Sequence, residues 1–256
     1  MKIFRNLLVI LFLISSLTYA EESWVVVEKV NFDWNQDKKI DQVILERPRV
    51  WNDPGDFTRI RIKIAGKKEF ILKDESGLSQ YKKNGEPSNI KSSIKSNYMA
   101  LFPISKKFSE SLLMMFGYEF GSSPGKLLII TLNQEGFPEI VFYKTFNIIE
   151  FKDINNDKYP EMIGQPWYAQ GLGSNGDIHT YCPMYVYRFY KSKTNFKVVL
   201  DLRLSKKYNE DYGAGWAGPD PRSDIVEIIP LDGSNPRLMN KKEAFKVLYN
   251  LDIDEP

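Results

Sequence analysis

The sequence predicts an all-β protein: a propeller-like array of short antiparallel blades followed by one short C-terminal helix. Three observations carry that prediction. Apolar residues recur at period two in one segment after another. The segments are joined in pairs by short polar turns. An acidic nine-residue pattern also occurs twice, beginning at Asp33 and again at Asp153, 120 positions apart. That interval suits two or three intervening repeats of blade size, roughly 40–60 residues each. No third acidic loop lies between the two, so the middle repeats are expected to be degenerate.

Residues 1–20 read as a secretory signal. Lys2 and Arg5 form a basic start, Leu7 to Ile14 is a continuous apolar run, and Thr18-Tyr19-Ala20 places small residues before Glu21. The apolar run is too short for a stable membrane span, and nothing later in the chain is long and apolar enough to make one. The expected mature protein, residues 21–256, is a single β-rich domain that is periplasmic or secreted. No Gly/Ser or Pro-rich linker divides it.

The elements follow in order. Ser23 to Val30 and Gln42 to Leu45 flank the first acidic loop with β-branched residues. Thr58 to Ile64 alternates apolar and polar, and Ala65-Gly66-Lys67-Lys68 turns it into Glu69 to Leu72 as a hairpin. Ser109 to Phe116 reads as a short helical turn. A second hairpin joins Lys126–Leu132 to Glu139–Tyr143 through Asn133-Gln134-Glu135-Gly136. A third joins Met184–Tyr190 to Phe196–Leu202, and Ile225 to Ile229 is a further strand. The clear helix is Lys241 to Leu251, with Asn240 as its N-cap.

The acidic loops carry the candidate chemistry. Asp33-Trp34-Asn35-Gln36-Asp37-Lys38-Lys39-Ile40-Asp41 and Asp153-Ile154-Asn155-Asn156-Asp157-Lys158-Tyr159-Pro160-Glu161 share Asp, Asn, Asp and a final acid at positions 1, 3, 5 and 9. Hard oxygens at alternate positions of a tight loop suit Ca²⁺. The ligands would be Asp33, Asn35, Asp37 and Asp41 with the Lys39 carbonyl, then Asp153, Asn155, Asp157 and Glu161 with the Tyr159 carbonyl. An EF-hand is ruled out, because position 12 is Ile44 or Gly164 where a bidentate Glu is needed. The alternative is an Asx-rich turn whose side chains bond backbone amides without a metal.

The two loops resemble the calcium loops of FG-GAP/VCBS-type repeats, the β-propeller repeats also found in integrin α-chains. The resemblance rests on the Asp-x-Asn-x-Asp core, the ninth-position acid and the "DKYPEMI" ending of the second loop. It implies a hairpin loop between two strands of a blade and a structural calcium ion. The second loop, with Pro160 and Glu161, follows the repeat pattern more closely. Both loops depart from it at position six, where the usual Gly is Lys38 or Lys158. A side chain there disfavours the positive φ by about 1 kcal/mol and brings a like charge beside a cation.

Composition sets limits on function. Cleavage after Ala20 removes Lys2 and Arg5 from a total of 35 basic residues, leaving 33 against 33 acidic. A balanced chain has no broad field to draw it to nucleic acid or anionic lipid. With one cysteine, Cys182, no intramolecular disulfide forms, and with His179 as the one histidine a His/Cys zinc site is not available. There is no Gly-x-Ser-x-Gly elbow, Walker loop or dinucleotide fingerprint.

Two aromatic, glycine-hinged segments remain. Trp167 and Tyr168 lie in one, Tyr212 and Trp216 in the other. On exposed loops such rings stack on sugars or grip a peptide; packed inward they plug seams between blades. The resulting expectation is an exported binding module with structural calcium loops and a protein, peptide or glycan partner. Its alternative is a secreted hydrolase of cell-wall glycan or peptide, using a carboxylate pair such as Glu210 and Asp211.

Overall fold

Three four-stranded antiparallel meanders follow one another along the chain. They are seen in a computed structural model that describes residues 23–52, 55–78, 91–104, 111–116, 125–166, 180–191, 196–212, 225–228 and 237–249. The first sheet is β1 (Trp24–Phe32), β2 (Asp41–Pro48), β3 (Phe57–Lys63) and β4 (Phe70–Leu78), in that order. The second is β5 (Met99–Pro103), β6 (Ser111–Phe116), β7 (Lys126–Leu132) and β8 (Pro138–Thr145). The third is β9 (Asn147–Lys152), β10 (Glu161–Gln165), β12 (Tyr185–Lys191) and β13 (Phe196–Leu200). The intervening β11 (Thr180–Tyr181) leaves this sheet and runs parallel to β14 (Ile225–Ile228), which pairs in turn with β15 (Arg237–Asn240).

Side-chain parity decides how the meanders pack. Successive residues of a strand face opposite sides of its sheet. On the middle sheet Met99, Leu101, Leu113, Met115, Leu128 and Ile130 join one core with Val43, Leu45, Phe57, Ile60 and Ile62 of the first sheet. Their immediate neighbours Ala100, Leu112, Met114, Leu127 and Ile129 join a second core with Ile148, Phe151, Met162, Tyr185 and Tyr187 of the third. The middle sheet is therefore buried on both faces, between its neighbours in the chain.

That arrangement explains a correction. Ser111–Phe116 is a strand, not the helical turn that its sequence suggests. Leu112 to Met115 are all fully buried, so the run carries no polar alternation and mimics a buried helix. A second correction concerns spacing, because one full sheet, and not two or three repeats, separates the acidic loops.

Two helices complete the described fold. The first, α1 (Leu202–Tyr212), begins at the residue where the expected strand ends and takes in Tyr208 to Tyr212, expected in a glycine-hinged loop segment. Asp201 caps it, its Oδ1 accepting the Leu204 amide at 2.9 Å. Ser205 and Asn209, one turn apart, face the edge of β12. Ser205 Oγ accepts the Val186 amide at 2.9 Å, while Asn209 accepts from the Met184 amide at 2.9 Å and donates to the Met184 carbonyl at 2.7 Å. The helix thus continues the hydrogen-bond ladder that β13 leaves at Leu200. The second helix, α2 (Lys241–Tyr249), begins where expected, Asn240 Oδ1 accepting the Lys242 amide at 2.9 Å. It packs Ala244, Leu248 and Tyr249 against Tyr181, Val226 and Ile228.

Candidate functional site

Each acidic loop joins the first two strands of a four-stranded meander. The first lies between β1 and β2, the second between β9 and β10, and in both the ninth-position acid is the first residue of the second strand. The backbone repeats as closely as the topology. Gln36 and Lys38 have φ of 59° and 67°, and Asn156 and Lys158 have 62° and 75°. Both lysines therefore adopt the left-handed conformation for which a glycine is usual, and local hydrogen bonds must offset its cost.

Those bonds come from the acidic side chains. Asp33 accepts the amides of Asp37 and Lys38 at 3.1 and 2.9 Å, and Asp37 accepts that of Lys39 at 2.8 Å. In the second loop Asp153 accepts the amides of Asp157 and Lys158 at 3.2 and 2.8 Å, and Asp157 that of Tyr159 at 2.9 Å. Asn35 and Asn155 each accept the amide two residues on. These are Asx turns nested inside one hairpin.

The ninth acids are buried and turn inward. Asp41, fully buried, accepts the Trp34 amide through Oδ2 and the Ala65 amide through Oδ1, each at 2.9 Å. Glu161 accepts the Ile154 amide through Oε2 at 2.9 Å and the Asn155 side-chain amide through Oε1 at 2.8 Å. Trp34 anchors its loop further by donating Nε1 to the Ser111 carbonyl of β6 at 3.2 Å.

The loops differ in what meets their outer oxygens. In the first, Lys39 lies 3.7 Å from Asp37 on a well-exposed surface, and the Lys39 amide, before any charge, holds the Asp37 carboxyl below its usual range. In the second, Arg188 of β12 reaches Asp157 Oδ2 at 3.0 Å, with Glu161 at 3.9 Å and Asp201 at 3.8 Å. Burial opposes ionisation of Asp157, yet the Tyr159 amide, Asn155 and Arg188 together outweigh it and hold its carboxyl low. Burial is also the largest influence on Glu161, and with the charges of Asp157 and Asp153 it pushes that carboxyl up.

Fit to a calcium ion follows from these contacts. Among the described residues no group of three or more His, Cys, Asp or Glu is gathered to hold a metal. In the second loop the Asn155 amide nitrogen and Arg188 occupy the acid oxygens that a cation would take. In the first loop Asp37 Oδ2 meets the solvent-exposed ammonium of Lys39 at 3.7 Å, while Asp33, Asn35 and Asp37 Oδ1 accept loop amides. The Pro160-Glu161 match favours the second loop in sequence, while Arg188, a residue 27 positions beyond Glu161 on another strand, sets the two loops apart in structure.

The remaining predicted positions divide. Trp167, Tyr168 and Trp216, with His179, lie outside the described residues, as does the segment 1–20. Tyr212 is exposed at the end of α1. Its hydroxyl accepts from Lys152 at 2.7 Å, and the same ammonium lies 4.7 Å from its ring centroid. Tyr212 therefore braces the residue that precedes Asp153. Glu210 and Asp211 pair one turn back with Lys206 and Lys207 at 3.7 and 3.9 Å, as an exposed helix face does. Cys182 is buried.

A cleft that sequence reasoning missed opens beside the first loop. It measures about 430 Å³ and is lined by Trp34, Asn35, Lys67, Thr131 and the turn Asn133–Gly136. No local signal joins these positions, which come from three separate turns and strands. No protein-family model, curated protein or solved structure matches this chain.

Proposed function

We propose that this chain is an exported binding module, a propeller-like array of blades that presents its turns to a peptide or glycan. The observation that carries the reading is the equivalence of the acidic loops. Two meanders in different parts of the chain place the same nine-residue device in the same first hairpin, with positive φ at the same two positions and the same Asp-to-amide contacts. A device repeated in this way serves the scaffold, since chemistry needs one site and not a repeated turn. The FG-GAP/VCBS resemblance supports the blade reading, and the stacking of the three sheets in chain order agrees with it.

Calcium enters this reading as a structural ion of the first loop, held by Asp33, Asn35, Asp37 and the Lys39 carbonyl. It would neutralise the loop carboxylates and fix the hairpin. The polar cleft next to that loop, with Lys67, Asn133, Gln134 and Glu135, offers the donors and acceptors that a peptide backbone or sugar hydroxyls require.

A glycan and peptide binding screen on the mature protein, with calcium and with chelator, tests the proposal. Saturable binding without turnover, weakened by Lys67→Ala, is the expected result. Substrate turnover that one acidic substitution abolishes would replace the module with the hydrolase.

A further inference from the structure

We propose that Arg188 is the built-in cation of the second acidic loop, which is closed without a metal ion and tied by the same guanidinium to the start of α1. The proposal rests on reading both loops as latches of the scaffold, and it separates them in mechanism.

Register makes the first argument. Met162 pairs with Tyr187 across β10 and β12, and Gln42 pairs with Lys63 across β2 and β3. One step further along each ladder, Glu161 meets Arg188 where Asp41 meets Ile64. The two loops are equivalent, yet the strand facing the ninth acid offers a cation in one and a buried aliphatic chain in the other. Asp41 instead accepts the amide of Ala65, the next residue. The first loop has no cation at this place, and the second does.

The guanidinium is also suited to the place. Its planar array of donors reaches Asp157 at 3.0 Å, Glu161 at 3.9 Å and Asp201 at 3.8 Å from three different nitrogens. Asp157 and Glu161 belong to the loop, and Asp201 is the N-cap of α1. Asn155 completes the replacement. Its side-chain nitrogen lies 2.9 Å from Asp157 Oδ2 and 2.8 Å from Glu161 Oε1, donating into the cluster where a metal-binding loop would present only acceptors. A cation entering from solvent would have to displace both donors.

A link between loop and helix follows. Lys152 and Tyr212 join the entrance of the loop to the far end of α1, and Tyr208 of α1 donates to Glu150 of β9 at 2.8 Å. Arg188 joins the loop to the other end of the same helix. Loop and helix are expected to open together.

Peptide-resolved hydrogen exchange on the full mature chain tests this. In the wild type, exchange across 153–161 should agree within about twofold between millimolar calcium and chelator, whatever happens across 33–41. Arg188→Gln should speed exchange in 153–161 and at the start of α1 together, by roughly fivefold. Arg188→Lys, which keeps the charge but offers one ammonium to three carboxylates, should fall between wild type and Arg188→Gln. Protection of 153–161 that needs calcium in the wild type would overturn the proposal, and so would an Arg188→Gln variant that exchanges like wild type. If Arg188→Gln fails to fold, the wild-type comparison decides alone. A calcium response confined to 33–41 leaves the binding-module reading intact, so the two proposals fail separately.

Discussion

Asp41 holds Ala65. The carboxylate that ends the first acidic loop accepts the amide hydrogen of a residue 24 positions on, at 2.9 Å, in the turn between β3 and β4. Its other oxygen holds Trp34 inside its own loop. One fully buried acid therefore fastens the β1–β2 loop to the β3–β4 turn, which lie at the same end of the first sheet. Removing it strands two backbone amides, and each unsatisfied buried donor costs about 1–3 kcal/mol. Asp41→Ala should lower stability by about 3 kcal/mol or more, measured as a shift in the urea midpoint at unchanged slope. Asp41→Asn, which keeps one acceptor, should cost roughly half as much. Equal and small losses in both variants would show that the amides find other partners.

The calcium response should be confined to the first loop. A ligand bound only to the folded state adds RT ln(1 + [L]/Kd), about 2.7 kcal/mol at a hundredfold excess over Kd. The melting temperature should rise in millimolar calcium and fall with chelator. Asp37→Ala should abolish that rise, while Asp157→Asn should leave it in place, because Arg188 and Asn155 already occupy Asp157. A rise that Asp157→Asn removes would assign the ion to the second loop instead.

Much of this arrangement is legible in the sequence because it is local. The turn residues of the β3–β4 and β7–β8 hairpins, the Asn240 cap and the acidic loops are each specified within about ten residues. What escapes has a tertiary cause. Ser111–Phe116 loses its period-two signal because both faces of the middle sheet are buried. Helix α1 is decided by Asp201 capping it and by Ser205 and Asn209 meeting Val186 and Met184, beyond the stretch of β12 that pairs with β13, a match made with another strand and not with sequence neighbours. The difference between the two acidic loops rests on Arg188 against Ile64, and neither residue belongs to the pattern that identifies the loops.

Gly164 is required by packing where β10 crosses β9. The ladder is irregular between Ile163 and Gly164, and a Cβ added at Gly164 would lie 2.0 Å from the Asn147 carbonyl oxygen and 2.7 Å from the Phe146 ring. The oxygen belongs to backbone and cannot swing aside. Gly164→Ala should destabilise the protein by at least about 3 kcal/mol, the upper range for overpacking, and lower the yield of folded protein. Gly66→Ala is the control: its Cβ would meet nothing within 4 Å, though φ is +77°, so it should lose only the cost of that backbone, about 1 kcal/mol. Equal losses in the two variants would remove the packing argument.

The last prediction concerns alkaline pH. Tyr181 and Tyr187 are almost completely buried, and burial above all pushes both phenols from 10.0 up to about 12. Tyr249, whose hydroxyl lies 2.8 Å from that of Tyr181, is raised by the same cause. The folded state therefore keeps protons that the unfolded chain gives up near pH 10. Stability from these phenols is complete below the unfolded pKa and is lost as pH rises from 10 toward 12, by about 2–3 kcal/mol for each group shifted two units. Tyrosinate absorbance should show the exposed phenols of the 14 tyrosines ionising first. The buried class should follow abruptly, together with loss of the β-sheet circular dichroism signal. Tyr187→Phe should flatten part of the fall in stability between pH 10 and 12, because that variant lacks one of the phenols buried in the third sheet's core. If all tyrosines titrate as one class near pH 10 while the fold persists, these rings are reached by solvent and the sheet interfaces are looser than described.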